Sequence, residues 1–145
     1  MRFLLTAKAD VNAKDNAGST PMHQVAMAKG PHSDIIEMLL MYRAEVDARD
    51  KHGLTPLHYA TMADNPTAVK TLLDHAANAN ARDKNFGNTP LIIAAVQGYE
   101  DMAKLLLENG ANVNLTDGQG TPLAWAIRAG HPDIAVLIRN HGGHL

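Results

Sequence analysis

Histidine is the residue type in this chain with the widest chemical capacity, because imidazole both binds metals and transfers protons at neutral pH. The chain of 145 residues contains eight histidines. His141 and His144, separated by two glycines, are close enough in sequence to bind one metal ion together. They have no further ligand nearby, and the sequence contains no cysteine that could complete a four-ligand zinc site. We therefore expect no metal site.

Carboxylates are the second group that could do chemistry, as a general acid and a general base. Asp15, Asp50 and Asp83 recur at intervals of 35 and 33 residues, the first two within Asp-x-x-Gly segments typical of turns. The sequence contains no His-Glu-x-x-His motif, no Gly-x-Ser-x-Gly motif and no phosphate-binding glycine loop. We therefore predict that the chain is not an enzyme and needs no cofactor.

The periodicity of the aspartates belongs to a longer internal repeat. A Thr-Pro pair followed by Leu or Met occurs four times, with intervals of 35, 34 and 32 residues, at Thr20, Thr55, Thr89 and Thr121. Thr is a favoured helix N-cap, and Pro suits the first helical position because its missing N–H has no partner there. Each start is followed by two apolar stretches at helical spacing, so every repeat predicts a pair of short helices.

This pattern resembles the ankyrin repeat, which has a period of about 33 residues and the signature T-P-L-H-x-A. The resemblance implies an all-α repeat solenoid of stacked helix–turn–helix repeats with short β-hairpin finger loops. It divides a single domain, residues 1–145, into a partial repeat (1–14) and the repeats 15–49, 50–82, 83–116 and 117–145. One repeat cannot bury its own apolar face, so neighbouring repeats must stack.

The glycine that ends the second helix in this family is not kept in every repeat. It is present at Gly110 and Gly142 and is replaced by Lys8, Arg43 and Ala76. If the left-handed backbone is retained at the replaced positions, each costs about 1 kcal/mol relative to glycine.

The signature histidine is kept only in the first half of the chain. It is present at His23 and His58 and is replaced by Ile92 and Ala124. In the ankyrin family this histidine links adjacent turns, so we expect the C-terminal half to be less rigid.

The resemblance also indicates where a partner binds, because one position of each first helix faces the concave side of the stack. That position and the one three residues later are occupied by Gln24, Tyr59, Ile93 and Trp125, and by Met27, Met62, Val96 and Arg128. The finger residues predicted to contact the partner are Lys51, His52, Leu54, Lys84, Asn85 and Phe86. Trp, Tyr and Arg are frequent hot spots of protein interfaces. The alternative is that this row packs against the neighbouring fingers and is mostly covered.

We therefore predict a protein–protein interaction module that binds another protein through its concave face and fingers. The alternative is a structural or assembly segment that associates through uncapped repeat ends, because the chain opens inside a repeat with Phe3, Leu4 and Leu5. Whether the chain is a fragment or its end pairs with another copy of itself stays open.

Charge and hydropathy exclude two other classes of partner. The net charge is −2, with 13 basic and 15 acidic residues and no basic stripe, so we expect no nucleic-acid binding. No apolar run approaches the roughly 20 residues of a membrane span, and the start lacks the apolar core of a secretory signal. The absence of cysteine fits the cytoplasm or another reducing compartment.

Overall fold

The computed structural model describes residues 10–145, so most of the partial repeat, including Phe3 and Lys8, lies outside the described residues. Residues 10–145 form eight α-helices and no β-strand. The chain divides into two compact units, one ending at Ala77 and the other beginning at Asn78. The boundaries given above between repeats remain predictions.

The first unit contains four helices, α1 (Pro21–Met27), α2 (Ser33–Met41), α3 (Pro56–Met62) and α4 (Pro66–Asp74). Within it, α1 packs on α2, α3 packs on α4, and the two pairs contact each other through α1 with α3 and α2 with α4. The second unit contains α5 (Pro90–Gln97), α6 (Glu100–Glu108), α7 (Pro122–Arg128) and α8 (Pro132–Asn140), arranged in the same way. The predicted all-α fold of stacked helix pairs is therefore confirmed in each unit.

Each first helix begins at its predicted Thr-Pro pair. The threonine hydroxyl accepts a hydrogen bond from the backbone N–H three residues later, at 3.5 Å for Thr20 and 3.2 Å for Thr89. In the first unit the histidine at this third position also accepts the threonine's own N–H through Nδ1, at 3.1 Å for His23 and 3.0 Å for His58. Two backbone donors at the helix start are thus satisfied by one buried pair of side chains.

The buried histidine also links one repeat to the next. Because Nδ1 of His23 accepts a hydrogen bond, its Nε2 carries the proton and donates to the carbonyl oxygen of Leu54 at 2.8 Å. His23 is fully buried, and Leu54 lies in the second finger. The predicted link between adjacent turns is therefore present here, whereas the equivalent Ile92 is a buried apolar residue and Ala124 is half-buried.

Asparagine side chains form a second set of links between consecutive repeats. Asn12 donates through Nδ2 to the carbonyl of Arg43 at 3.2 Å and accepts the N–H of Glu45 at 2.8 Å. In the second unit Asn80 makes the same two bonds with Gly110 and Asn112, at 3.2 and 2.6 Å. These bonds satisfy backbone groups left over at the end of a second helix.

The left-handed backbone is retained at the two replaced glycine positions that the structure describes. Arg43 and Ala76 have φ values of 70° and 68°, close to the 92° of Gly110 and the 88° of Gly142. Both replacements therefore occupy a conformation that residues with a Cβ atom rarely adopt.

The fingers are turns, each closed by backbone hydrogen bonding from its aspartate. Asp15 N–H donates to the carbonyl of Ser19 and Asp50 N–H to that of Leu54, both at 3.0 Å. Oδ1 of Asp50 accepts the N–H groups of His52 and Leu54, both at 2.9 Å. This explains why aspartate recurs once per repeat.

Candidate partner-binding surface

In the first unit, the predicted first-helix residues combine a fixed aromatic ring with exposed apolar side chains. Tyr59 is half-buried, and its hydroxyl donates a short hydrogen bond to Oδ2 of Asp50. Its ring also lies edge-on to the ring of His23, with centroids 5.6 Å apart and planes at 82°. Met27 and Met62, one helical turn further on, are 44% and 38% exposed.

The Asp50–Tyr59 pair is electrostatically unusual. Burial acts to raise the pKa of Asp50, but the hydrogen bonds from the Tyr59 hydroxyl and from the amides of Leu54 and His52 outweigh it and lower this pKa. Burial, and then the bond to the Asp50 carboxylate, raise the pKa of Tyr59 above its usual range. The tyrosine therefore stays protonated and remains a donor to its finger.

The second unit holds its tryptophan in the same manner. The indole Nε1 of Trp125 donates to Oδ2 of Asp117 at 2.9 Å. The guanidinium of Arg128 lies 5.1 Å from the centre of the Trp125 ring, and its Nη1 donates to the carbonyl of Gln119 at 3.1 Å. The half-buried ring and the exposed guanidinium are thus fixed against the fourth finger.

The finger of Asp83 and the helix that follows it, α5, lack this contact. Ile93 is half-buried and apolar, so it cannot donate to the finger carboxylate. Like Asp50, Asp83 uses Oδ1 to accept backbone N–H groups of its finger, here those of Phe86 and Gly87 at 2.7 and 3.0 Å. These bonds fix the finger tip at which Phe86 is 63% exposed.

The predicted site residues are divided equally between the two units. Seven of them lie in the first unit, namely Gln24, Met27, Lys51, His52, Leu54, Tyr59 and Met62. The other seven lie in the second, namely Lys84, Asn85, Phe86, Ile93, Val96, Trp125 and Arg128. Four of the fourteen are half-buried, namely Leu54, Tyr59, Ile93 and Trp125, and the remainder are exposed. Packing against the fingers therefore accounts for part of the row and leaves part of it accessible.

The finger aspartates are candidate site residues that sequence reasoning missed, because it treated them only as turn residues. Oδ2 of Asp15 accepts from Gln24 at 3.4 Å, and the corresponding oxygens of Asp50 and Asp117 hold Tyr59 and Trp125. A near-constant separation of nine, nine and eight residues within these pairs was the available signal.

Residues 10–145 contain no cluster of three or more metal-binding side chains. Nδ1 of His141 lies 2.9 Å from the carbonyl oxygen of Leu137. This contact occupies one of the two ring nitrogens that His141 could offer to a metal ion shared with His144. Within the same residues, no helix is long and apolar enough to cross a membrane.

A family model described as ankyrin repeats (3 copies) matches residues 1–83 and 78–144. The E3 ubiquitin-protein ligase KEG of Arabidopsis thaliana is 37% identical over 161 residues, covering 99% of this chain and 8% of that protein. Neurogenic locus notch homolog protein 1 of Mus musculus is 36% identical over 142 residues, covering 97% of this chain and 4% of that protein. Glycerophosphocholine phosphodiesterase GDE1 of Candida albicans is 36% identical over 75 residues, covering 51% of this chain and 6% of that protein.

The chain therefore belongs to the ankyrin repeat family. Ankyrin repeats are a general protein–protein interaction module, and the family is generally not enzymatic. The chain spans only 4% to 8% of the length of the three relatives named above.

Proposed function

We propose that this chain is a protein-binding module whose partner contacts the first helices and the fingers. The proposal depends mainly on one observation, that the rings of Tyr59 and Trp125 are each hydrogen-bonded to a finger aspartate while remaining partly exposed. A side chain already fixed in position loses little conformational freedom on binding, which favours affinity.

The neighbours of the two rings support the same proposal. Met27, Met62 and Val96 are between 38% and 44% exposed, and methionine adapts its shape to irregular partner surfaces. Arg128 is exposed and supported by Trp125, and arginine is enriched among interface hot spots together with Trp and Tyr. Exposed apolar and aromatic side chains in the first unit, and a preorganised arginine stacked on an aromatic ring in the second, each suit a protein partner.

The proposal includes no catalytic step and no cofactor. The ligase and phosphodiesterase activities named above belong to proteins of which this chain covers 8% and 6%. The balance of 13 basic and 15 acidic residues favours a protein over a nucleic acid as partner. The absence of cysteine is consistent with action in the cytoplasm or another reducing compartment.

Affinity capture from a lysate of the source cells tests the proposal. The bait carrying Tyr59→Ala and Trp125→Ala should retain at least about tenfold less of the captured partner than the unaltered chain, since each ring is expected to act as a hot spot. The matched control is Met41→Ala with Tyr42→Ala, which removes two exposed side chains, 81% and 52% accessible, from the end of a second helix.

The control variant should capture as much as the unaltered chain, and both variants should retain the helical circular dichroism signal. Equal capture by all three proteins, with helical content preserved, would refute the proposal.

A structural role through association of the repeat ends is a second candidate, favoured by the exposure of Ile127 (46%) on α7. This candidate requires the average mass in sedimentation equilibrium to rise with protein concentration. A constant monomer mass up to roughly 100 μM, well above the dissociation constants of stable assemblies, argues against it.

A further inference from the structure

The last repeat departs from the other three at a position near the end of its first helix. Ile127 is 46% exposed, whereas the residues at the equivalent position are all fully buried. Those residues are small, namely Ala26, Thr61 and Ala95. Small side chains allow neighbouring helices to approach closely, so Ile127 does not copy the surface with which the earlier repeats stack.

The second helix of the last repeat departs from the others at two further positions. Val136 is 53% exposed, and the equivalent residues of the other repeats are the charged residues Glu37, Lys70 and Lys104. Arg139 is exposed, and its equivalents are the half-buried leucines Leu40, Leu73 and Leu107. An apolar side chain thus replaces a charge at one position, and a charge replaces an apolar side chain at the other.

These departures meet on one surface of the second unit, where two grooves share Ile127. One groove, of about 490 Å³, is lined mainly by apolar groups and includes Arg128. The other, of about 270 Å³, lies beside Val136 and includes Arg139. Within the described part of the chain, no acidic side chain lines either groove. We call the surface formed by Ile127, Arg128, Val136 and Arg139 the end face.

The chemistry of the end face discriminates among occupants. A further ankyrin-type repeat would place its helices against Ile127 and Arg139, where stacking repeats have a small residue and a leucine. A second copy paired symmetrically would bring Arg128 and Arg139 of both molecules together, and like charges in contact are unfavourable. An apolar strip flanked by guanidinium groups instead complements aliphatic side chains flanked by carboxylates.

We propose that the end face binds a segment of another protein that presents aliphatic side chains flanked by carboxylates. This inference goes beyond the function proposed above, because Ile127, Val136 and Arg139 are not among the predicted partner-binding residues. Only Arg128 belongs to both surfaces.

A defined peptide tests the inference without knowledge of the natural partner. The probe is a fluorescent amphipathic helix of about 16 residues, long enough to be partly helical, with leucine on one face and glutamate elsewhere. Ile127→Ala and Arg139→Leu restore the residues of other repeats and are therefore expected to fold. Each should weaken binding of the peptide about tenfold in fluorescence anisotropy, which corresponds to the loss of one good apolar or charged contact.

Two controls locate the effect. The same peptide with lysine in place of glutamate should not bind, because it would face Arg128 and Arg139 with like charge. Met62→Ala and Val96→Ala, which remove comparable apolar groups from the first-helix surface, should leave binding unchanged. So should Tyr59→Ala, which removes a ring of the first unit that is not part of the end face and thereby separates this inference from the proposed function.

Three results would overturn the inference. The first is that the lysine peptide binds as tightly as the glutamate peptide. The second is that Met62→Ala and Val96→Ala weaken binding as much as Ile127→Ala does. The third is a mass that rises with concentration in the absence of peptide and returns to that of the monomer in Ile127→Ala, which would assign the face to a second copy.

Discussion

The two units place different residues at the left-handed backbone positions that follow their helices. Between the helices of a pair, the positive-φ residues are Gly30 (109°) and Asp64 (52°) in the first unit, and Gly98 (82°) and Gly130 (80°) in the second. At the ends of second helices, Arg43 and Ala76 occupy left-handed positions in the first unit, where the second unit has only glycine. The first unit therefore contains backbone strain that the second avoids.

The first unit also differs from the second in its buried histidines. His23 satisfies the N–H of Thr20 and donates to the carbonyl of Leu54, whereas Ile92 contributes only apolar packing at the equivalent position. A buried polar link fixes one geometry, because any displacement leaves its groups unsatisfied. The first unit therefore combines left-handed residues other than glycine with a buried hydrogen-bonded link that the second unit lacks at Ile92.

The largest expected effect comes from replacing this histidine with an apolar residue of similar size. His23→Leu should lower the free energy of unfolding by about 3 kcal/mol, because it leaves a buried N–H and a carbonyl without partners. The matched change in the second unit, Ile92→Leu, conserves volume and should lower it by about 1 kcal/mol. Urea unfolding followed by circular dichroism measures both, and equal losses would contradict the comparison.

The next largest effect concerns the aspartate that holds Tyr59. Tyr59→Phe should lower the free energy of unfolding by about 1 to 2 kcal/mol at neutral pH, since a bond to a carboxylate is lost. Asp50 has a folded-state pKa below its ordinary value of 3.8, so its stabilisation is present above that value and is lost as the pH falls through the folded pKa.

When urea unfolding is repeated at a pH below the folded-state pKa of Asp50, the difference in free energy of unfolding between Tyr59→Phe and the unaltered chain should therefore shrink. A difference that stays constant between neutral and acid conditions would show that the bond to Asp50 is not its source.

Substitutions at the positive-φ residues Gly98 and Asp64 should change the free energy of unfolding in opposite directions. Gly98→Ala should lower the free energy of unfolding by about 2 kcal/mol, because φ is positive and a Cβ atom would lie 2.6 Å from Cε1 of His131. Asp64→Gly should instead raise it by up to about 1 kcal/mol through relief of strain. Thermal unfolding of the two variants checks this, and a stabilised Gly98→Ala would contradict the assigned backbone.

The smallest expected effects are at the ends of the second helices. Arg43→Gly and Ala76→Gly should each raise the free energy of unfolding by less than about 1 kcal/mol, because glycine accepts positive φ but also gains entropy in the unfolded chain. Gly110→Ala, where a Cβ atom would meet nothing within 4 Å, should lower it by about 1 kcal/mol. If the glycine substitutions destabilise the chain, strain is not the difference between the units.

Local signals explain what could be predicted from the sequence. The Thr-Pro pairs gave all four first helices, because N-capping and the fixed φ of proline act within a few residues. The left-handed residues Arg43 and Ala76 followed from their alignment with glycines of other repeats. The resemblance to the ankyrin family also gave the link that His23 makes to the next finger.

Contacts between side chains of different elements could not be derived in this way. The bonds from Tyr59 to Asp50 and from Trp125 to Asp117 depend on how a finger folds back on the following helix. The left-handed backbone of Asp64 was missed because the sequence reading compared glycines only at helix ends. The exposure of Ile127 depends on which other element packs against it, and the residue type alone does not indicate this.

The central claim, that a partner lies on the first helices, is tested most directly by photocrosslinking. A photoreactive phenylalanine analogue placed at Met62 or at Val96, both 38% exposed, should form a covalent adduct with the captured partner. The same analogue at Met41, which is 81% exposed on a second helix, should form none. Adducts from Met41 in the absence of adducts from Met62 and Val96 would place the partner elsewhere and contradict the claim.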